Sequence, residues 1–599
     1  MLFPFLAFLD GPFHFLMVRF ALEVPGWRCD TRARHWRKRS RPGKPNVPGE
    51  RREPLEPSEP LPPRTRTFNA WLAAILALGI LVRLPTFFRP LLSDDEAIYA
   101  TTADAMARGD LLYRDVVDHK PPLIYHVYQA GFAVLGQYNT QGAHALVILS
   151  VLLTAGLIFA LGRRGERAKE RTPDNGLGLA AAGLFLVFST TWHDYDALAA
   201  NCELFLLAPQ TLAAWLLLRD LHQPARGVRA LAVHLGVGVL IGTSALFKYQ
   251  GLTFLGASIG LLAWWAALGR VTWTRGVVMS LCQAAGALVP PALYLAWCGS
   301  RGCAVETLYW FRFNFSYVGA GLTGLQAGAR GLMRVGLVGG AALVPYALGI
   351  AAAVSAALGV VRVVRRRLGG IPSEAADMPP LLSVLGLLWL ATSAIAVATG
   401  GRFFGHYFHL ILPPLCLLAA PAFCRLWRKG RSYRGWLVGL CASPALVFLG
   451  LATIARPLAA AVDEGEPPYD EVAARIASLT STEERIFVWG NSPQLYILAR
   501  RPMGTRFSFC NYMTGESPGT PTETGKWNAD GNQLPAAWDM MFTDLEQRRP
   551  ALFVDAAAAG WDGYDKFPIA RYPRLRDYVD RHYRPVEVSA GVVLYRRVP

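Results

Sequence analysis

The sequence predicts a polytopic α-helical membrane protein with about eleven transmembrane helices and a small α/β domain at its C-terminal end. Composition is the first observation: of 599 residues, 53% have hydrophobic side chains and only 17% are charged. Such a chain is too apolar for an ordinary soluble enzyme of this length. The second observation is a series of long apolar runs, and the third is their end near residue 455, after which the sequence has soluble character.

Residues 1–66 are predicted to form a disordered cytoplasmic arm. The opening MLFPFLAFLDGPFHFLMVRF is apolar but is broken by Asp10, Gly11 and Pro12, and it lacks the basic start and cleavage site of a signal peptide. The stretch RPGKPNVPGERREPLEPSEPLPPRTR is rich in Pro and Arg, which is typical of disordered segments. A start codon assigned too far upstream would also explain this region.

Residues 67–455 are predicted to form the transmembrane domain. A helix needs roughly 20 mostly apolar residues to cross about 30 Å of hydrocarbon. Eleven runs meet this condition, at 68–87, 142–162, 176–192, 197–218, 231–247, 251–269, 277–298, 336–361, 380–399, 407–426 and 436–455.

The basic residues, which give the chain a formal net charge of +17, indicate how these spans are oriented. With eleven spans, the clusters in alternate loops and the basic segment RCDTRARHWRKRSRPGK before the first span fall on one side. Cytoplasmic loops carry such an excess, so we expect a cytoplasmic N-terminus and no nucleic-acid partner. The clustered residues are Arg163, Arg164, Arg167, Lys169, Arg171, Arg219, Arg226, Arg229, Arg270, Arg275, Arg362, Arg365, Arg366, Arg367, Arg425, Arg428, Lys429, Arg431 and Arg434.

Acidic and aromatic residues collect on the opposite face. That face receives the loop 88–141, the segments HDYDALAANCE, KYQG and GGRFFGHYFH, the loop RGCAVETLYWFRFNFSYVGAGLTG and the whole C-terminal region. We expect a multi-pass protein of the bacterial inner membrane, with this face toward the periplasm or the exterior.

The nine cysteines are scattered and lie mostly inside predicted spans, where they act as small apolar residues. They show no spacing typical of metal ligands. Cys298 and Cys303 lie together at the outer edge and could form a disulfide.

The region 456–599 is predicted to be a soluble extracytoplasmic α/β domain. EVAARIASL and WDMMFTDLEQRR have helical spacing, and each precedes a candidate buried strand, in RIFVWGNSPQLY and PALFVDA. The order helix, strand, helix, strand favours an α/β fold. WGNSPQ lacks both GxGxxG and the Walker lysine, so we interpret it as a turn between strand and helix.

The first outer loop contains SDDEAIYATTADAMARGDLLYRDVVDHKPPLIY, from Ser93 to Tyr125. Ser93 or Asp94 could cap a helix, because acidic residues are favoured in a first turn. EAIYATTADAMARG has the spacing of an amphipathic helix lying on the membrane. Pro121 and Pro122 end any helix after Lys120 and fix that lysine in a turn. IYHVYQAGF then predicts a second surface helix.

These residues resemble the bacterial membrane glycosyltransferases of the GT-C class, which include protein O-mannosyltransferases, the aminoarabinose transferase of lipid A and transferases that decorate lipopolysaccharide cores. The family's first outer loop opens with an Asp-Glu pair, continues to a Gly-Asp and reaches a Lys-Pro-Pro-Leu. Here these are Asp95-Glu96, Gly109-Asp110 and Lys120-Pro121-Pro122-Leu123. GRFFGHYFHLILPPL, at 401–415, resembles the late-span motif. The resemblance covers about 70–455 and continues weakly into the tail.

The resemblance implies transfer of a sugar from a polyprenyl-phosphate donor to an acceptor hydroxyl, usually with inversion. Such a displacement needs a carboxylate to accept the hydroxyl proton and cations to hold the leaving phosphate. Asp95 would be the carboxylate, with Glu96 orienting it or sharing its task. The cations would be Lys120, Lys248 and Arg402. Lysine and arginine near the ends of spans also commonly extend to the interface without such a role.

A second acid is expected in the second outer loop. Asp196 and Glu203 are seven residues apart and share a helix face. Glu203 is favoured because it lies deeper in an apolar run, where an ionisable group is costly. His406 and Tyr407 could contact phosphate or acceptor, although an aromatic interfacial belt would equally explain Tyr407. Tyr99 is a further candidate for substrate binding.

Several alternatives stay open. A transporter or flippase of lipid-linked glycans is the main rival, although transporters usually show internal repeats and charged residues near the midplane, and neither is evident. The sugar could be mannose, a uronic acid or an amino sugar, and the acceptor a lipid, a cell-envelope glycan such as lipopolysaccharide, or a protein. We predict no metal ligands and no essential cofactor, while a divalent cation bridging carboxylate and phosphate is possible.

Overall fold

The computed structural model describes residues 63–164, 175–190, 195–319, 324–369, 378–450, 467–516 and 529–599. Residues 1–62 of the predicted N-terminal arm lie outside the described residues, and the first helix of the described part begins at Pro63.

Fifteen helices precede the C-terminal domain in the described ranges, and several are joined by short 3₁₀-helices. In chain order they are α1 (Pro63–Leu81), α2 (Asp94–Ala107), α3 (Leu123–Leu135), α4 (Gln141–Gly162), α5 (Asn175–Phe188), α6 (Cys202–His222), α7 (Val228–Phe247), α8 (Thr253–Ala267), α9 (Trp273–Ser300), α10 (Ala304–Gly319), α11 (Gly324–Ala341), α12 (Leu343–Leu368), α13 (Leu381–Ala398), α14 (Leu412–Arg428) and α15 (Arg431–Gly450).

Nine helical segments in the described part are long and apolar enough to cross a membrane, so the protein is a multi-pass integral membrane protein. Of the other predicted spans, 176–192 corresponds to α5, which has only 14 residues, and 436–455 falls on α15, whose described part ends at Gly450. The count of eleven therefore stays a prediction. The nine segments are Ala70–Phe88, Gln141–Gly162, Cys202–His222, Val228–Phe247, Tyr249–Ala267, Trp273–Ser300, Leu343–Leu368, Leu381–Ala398 and Gly405–Arg428.

The predicted span 336–361 was misplaced. The chain breaks at Ala342 (φ −117°, ψ 43°), which separates α11 from α12, so the span runs over Leu343–Leu368 instead. Pro345 lies in the first turn of α12, where its missing N–H costs nothing, whereas inside a longer helix it would break the ladder. A hydropathy window cannot see this break because both neighbouring segments are apolar.

Small residues let the helices approach closely. A Cβ atom added to Gly238 of α7 would lie 2.1 Å from the carbonyl oxygen of Gln283 in α9. One added to Gly286 of α9 would lie 2.2 Å from the carbonyl oxygen of Leu235. Inside a bilayer the hydrophobic effect does not drive helices together, because lipid tails are as apolar as the helices. Transmembrane helices therefore commonly associate through close backbone packing of this kind.

The first outer loop folds differently from the prediction. The spacing predicts that α2 lies on the membrane surface, yet Glu96 to Ala105 are all buried. The hydroxyl of Thr101 in α2 donates to the carbonyl oxygen of Pro493, at the start of a helix in the C-terminal domain (3.4 Å). The apolar and small residues of α2 are therefore enclosed by protein on several sides. The thiols of Cys298 and Cys303 are both free, so the suggested disulfide is not formed.

The C-terminal domain contains a four-stranded sheet of β1 (Ile486–Trp489), β2 (Leu552–Asp555), β3 (Tyr583–Ser589) and β4 (Val592–Arg597), which lie in the order β1-β2-β4-β3. Strands β1 and β2 are parallel, and the other pairs are antiparallel. The expected order of helix, strand, helix, strand is present, whereas the final hairpin was not foreseen; Ala590 (φ 47°) and Gly591 (φ 82°) form its two-residue turn. The elements are α16 (Tyr469–Leu479), β1 (Ile486–Trp489), α17 (Gln494–Ala499), α18 (Asn511–Thr514), α19 (Pro535–Arg548), β2 (Leu552–Asp555), α20 (Pro573–His582), β3 (Tyr583–Ser589) and β4 (Val592–Arg597).

Candidate active site

Charged side chains from five separate segments meet in one cluster, which we call the charge cluster: Asp95, Lys120, Asp196, Glu203, Lys248 and His406. The segments are the first turn of α2, the turn before α3, the residues leading into α6, the junction after α7 and the 3₁₀-helix before α14. Ion pairs and hydrogen bonds join these segments directly.

Asp95 lies in the first turn of α2, which Ser93 caps by accepting a hydrogen bond from the Glu96 backbone N–H. The Lys120 ammonium donates to Asp95 Oδ1 at 2.6 Å, and the Tyr99 hydroxyl donates to Asp95 Oδ2 at 3.2 Å. Tyr99 is one turn further along the same helix, and its ring lies 4.6 Å from the Lys120 nitrogen. Lysine, carboxylate and tyrosine thus hold one another in a fixed geometry, with 26% of the Asp95 side chain exposed.

The electrostatic surroundings keep Asp95 ionised. Burial would raise the pKa of its carboxyl, but the positive charges of Lys120, His406 and Lys248 outweigh burial and lower that pKa below its ordinary value. The reciprocal effect raises the pKa of Lys120 above its ordinary value, because Asp95 and Asp118 outweigh the desolvation of the ammonium. Both groups are therefore charged at neutral pH.

His406 connects the three acids. Its Nδ1 is hydrogen-bonded to Asp196 Oδ2, and its Nε2 lies 3.9 Å from both Asp95 Oδ2 and Glu203 Oε1. The side-chain amide of Asn201 donates to the other oxygen of Asp196 at 2.8 Å. A histidine between three carboxylates is well placed to carry a positive charge.

Glu203 and Lys248 form the inner part of the cluster. Glu203 lies in the first turn of α6 and is 1% exposed, and the Lys248 ammonium donates to its Oε1. The same ammonium lies 4.0 Å from the centre of the Tyr407 ring. Glu203 from the second outer loop, Lys248 from KYQG and Tyr407 from the late-span motif, all predicted site residues, therefore meet here.

Glu96 faces away from the charge cluster. Its Oε2 accepts from the backbone N–H of Leu92 (2.7 Å), and its Oε1 accepts from the backbone N–H of Ala200 (2.5 Å) and from His144 Nε2 (3.0 Å). The side chains of Glu96 and His144 are wholly buried. With both oxygens engaged elsewhere, Glu96 connects α2 and α4 to the segment that carries Asp196.

Arg402 lies four residues before His406 and is 2% exposed. It follows Gly400 and Gly401, which have positive φ angles of 79° and 65° and turn the chain after α13. Arg402 is therefore a buried residue of the same loop as His406.

Arg83 was missed by the sequence reasoning. Its side chain is 1% exposed and donates to the backbone oxygens of Ser189 (3.1 Å) and Ala197 (3.4 Å). It therefore braces the segment that carries Asp196. An arginine inside the predicted span 68–87 could have indicated this, because charged groups there are costly.

The C-terminal domain contacts the same loop on two sides of the Asp95–Lys120 pair. The Gln494 side-chain amide donates to Asp94 Oδ1 at 2.6 Å. The Tyr512 hydroxyl lies 3.2 Å from His119 Nδ1, next to Lys120. No sequence motif indicated either contact. In the described ranges, no group of three or more His, Cys, Asp or Glu residues is arranged to hold a metal ion.

The fold is of the GT-C type. The structure of ArnT from Cupriavidus metallidurans bound to undecaprenyl phosphate matches with a TM-score of 0.54, 16% sequence identity, and coverage of 88% of this chain and 98% of that one. The structure of archaeal oligosaccharyltransferase AglB from Archaeoglobus fulgidus, in complex with an inhibitory peptide and a dolichol-phosphate, matches with a TM-score of 0.48 and 12% sequence identity. The match covers 89% of this chain and 74% of that one. No family model and no curated protein matches. The resemblance drawn from the sequence motifs is confirmed at the level of the fold.

Proposed function

We propose that this protein is an integral-membrane glycosyltransferase that moves a sugar from a polyprenyl-phosphate donor to an acceptor hydroxyl. The observation that carries the proposal is the charge cluster, in which Asp95 is held between Lys120 and His406. The cluster places a proton acceptor, Asp95, beside cations that are suited to bind a phosphate. Because Asp95 is partly exposed, a ligand could reach it. The solved ArnT structure with undecaprenyl phosphate supports this donor class, since it has the same fold.

In the proposed step, the acceptor oxygen attacks the anomeric carbon of the sugar. A new carbon–oxygen bond forms as the bond from the anomeric carbon to the phosphate oxygen breaks, with inversion. The acceptor proton moves to the Asp95 carboxylate, and the bonding electron pair leaves with the lipid phosphate. Asp95 is thus the general base.

The cations of the cluster would stabilise the leaving phosphate. Lys120 and Lys248 each hold a positive charge beside a carboxylate, at the position where a donor phosphate would be drawn in. A phosphate that shared the Lys120 ammonium would weaken its hold on Asp95. The proton affinity of Asp95 would then rise at the moment when a base is needed.

Asp196, Glu203 and His406 would set the charge balance around this reaction. Asp196 and His406 form one pair, and Glu203 and Lys248 form another. Asp196 thereby holds His406 in place, and Glu203 holds Lys248. Both carboxylates lie farther from Lys120 than Asp95 does. Arg402 and Tyr407 stay candidates for contact with phosphate or acceptor. The sugar and the acceptor class are left open.

We further propose the orientation that the loop charges predict. The N-terminus would lie in the cytoplasm, and the charge cluster and the C-terminal domain on the periplasmic side of a bacterial inner membrane. Lipid-borne donor and acceptor hydroxyl could then meet at the outer membrane surface.

The proposal is tested by reconstituting the purified full-length protein in lipid vesicles with undecaprenyl-phosphate carrying mannose, aminoarabinose or a uronic acid. Mass spectrometry would follow release of undecaprenyl phosphate and the growth of lipid, lipopolysaccharide and peptide acceptors. We expect at least one donor to be consumed together with a matching mass increase in an acceptor. If every donor stayed intact while lipid-linked glycan crossed between leaflets, the protein would be a flippase and the proposal wrong.

A further inference from the structure

Lys120 lies in a turn, Asp118 to Pro122, whose backbone and side chains are held from several directions. The Tyr113 hydroxyl donates to the carbonyl oxygen of Lys120 itself (2.7 Å). The carboxylate of Asp118 accepts from the Tyr125 hydroxyl (2.7 Å) and from the backbone N–H of His119 (2.6 Å). These three contacts lie within the transmembrane domain, and they fix Lys120 and the two residues before it.

Further contacts to this turn come from the C-terminal domain. The Tyr512 hydroxyl lies 3.2 Å from His119 Nδ1 and 3.5 Å from Asp118 Oδ1. One residue earlier in the loop, the Val117 backbone N–H donates to the carbonyl oxygen of Arg506 (2.9 Å). The C-terminal domain thus contacts the turn through the Tyr512 side chain and contacts Val117, just before the turn, through the backbone of Arg506.

Tyr512 is itself held rigidly. It is 6% exposed, and its ring packs against those of Trp310 (5.2 Å between centres) and Phe313 (5.8 Å) in α10. Aromatic pairs at these separations attract beyond simple burial. Because the ring is fixed by this packing, the Tyr512 hydroxyl can hold His119 and Asp118 in a defined position.

The charge at Asp118 gives this arrangement a consequence for Lys120. Asp118 is buried, which would raise the pKa of its carboxyl, but His119 and Lys120 outweigh burial and lower that pKa to about 2. A fixed anion therefore lies two residues before the Lys120 ammonium. Movement of Asp118 would change both the position and the electrostatic surroundings of that ammonium.

We infer that Tyr512 is a positioning residue for Lys120, so that the C-terminal domain helps to set where the donor phosphate binds. The inference rests on the proposed function. It gives the C-terminal domain a part in donor binding, through the chain of contacts from Tyr512 to Asp118 and His119 and from these to Lys120.

The test compares Tyr512→Phe with a matched control, Tyr583→Phe. Tyr583 is also buried in the C-terminal domain, and its hydroxyl donates to the Pro550 carbonyl oxygen (2.9 Å) within that domain. Dissociation constants for undecaprenyl phosphate and for undecaprenol, which lacks the phosphate, would be measured with full-length protein in nanodiscs. We expect Tyr512→Phe to weaken binding of the phosphate lipid about three- to tenfold, the effect of one lost hydrogen bond.

Undecaprenol binding should not change in Tyr512→Phe, and neither lipid should bind differently to Tyr583→Phe. Equal binding of the phosphate lipid to Tyr512→Phe and wild type would overturn the inference, and so would an equal loss for both lipids, since that indicates a general structural defect. If wild type and Lys120→Ala bound undecaprenyl phosphate equally, the assignment of Lys120 in the proposed function would itself fail. Should Tyr512→Phe not fold, His119→Gln must show the same phosphate-dependent loss.

Discussion

Asp95 and Glu96 are adjacent in the sequence, yet they belong to two clusters of opposite character. Asp95 opens into the charge cluster, where its side chain is 26% exposed. Glu96 is closed in on all sides and uses its oxygens on two backbone N–H groups and His144. One turn of helix thus presents one carboxylate to the charge cluster and the other to the frame of the protein. Under the proposed function, one acid of the pair would take part in the chemistry and the other would support the fold.

The largest effect is expected at Asp95. Replacing Asp95 by Asn keeps the shape of the side chain but removes the proton acceptor, so the transfer rate should fall about 10²–10⁴-fold. The thermal unfolding midpoint should stay close to wild type, because Asn still accepts a hydrogen bond from Lys120. The measurement is initial transfer rate per folded protein in vesicles. A normal rate would remove Asp95 from the chemistry.

Lys120→Ala should act mainly on the donor. Loss of a charged hydrogen-bond donor to phosphate should raise the apparent KM for the polyprenyl-phosphate sugar roughly 10–100-fold. The KM for the acceptor should change much less. Kinetics with each substrate varied in turn would separate the two, and an equal rise in both would argue that Lys120 only supports the fold.

The pH profile of kcat/KM gives a further test of the Asp95–Lys120 pair. A base is active when deprotonated, and the cations hold the pKa of Asp95 below its ordinary value, so wild-type activity should persist as pH falls to about 5. Removing the Lys120 charge should raise that pKa. The acidic limb of the Lys120→Ala profile is therefore expected at higher pH than in wild type, and an unshifted limb would show that Lys120 does not control the base.

A change in the buried hydrogen bonds of Glu96 should lower the stability of the protein and leave the transfer rate nearly unchanged. Glu96→Gln places an N–H₂ group where backbone N–H donors converge, which should cost about 1–3 kcal/mol of unfolding free energy. The unfolding midpoint in detergent should drop, while the rate per folded molecule should stay near wild type. A rate loss as large as that of Asp95→Asn, without a change in the midpoint, would mean that Glu96 takes part in the reaction.

The sequence was informative where a motif marks the residues that meet and silent about partners that no motif marks. Asp95 and Lys120 lie in one loop, and their motif spacing led to a pair that is joined at 2.6 Å. The partners of Glu96 and Asp94, at His144 and Gln494, are separated from them by 48 and 400 residues. Only the folded chain brings these together, because hydropathy and spacing carry no information about which distant polar groups will meet.

The same reasoning explains the errors in the fold. The helical spacing of its residues predicts that α2 lies on the membrane, since that spacing describes a helix with one apolar side. It does not reveal that a separate domain covers the helix, as the contact from Thr101 to Pro493 indicates. The break at Ala342 was hidden for a related reason, because two consecutive apolar helices resemble one long span to any averaging window.

The smallest effect is expected from removing divalent cations. Asp95 pairs with Lys120, Asp196 with His406, and Glu203 with Lys248, so each acid of the charge cluster already has a cationic partner. A divalent ion would have to displace one of these side chains, and two of the three are ammonium groups suited to hold phosphate directly. We therefore expect the transfer rate to be unchanged by EDTA. Loss of activity on chelation, with recovery on adding Mg²⁺ or Mn²⁺, would mean that an ion bridges carboxylate and phosphate and that the pairs rearrange when donor binds.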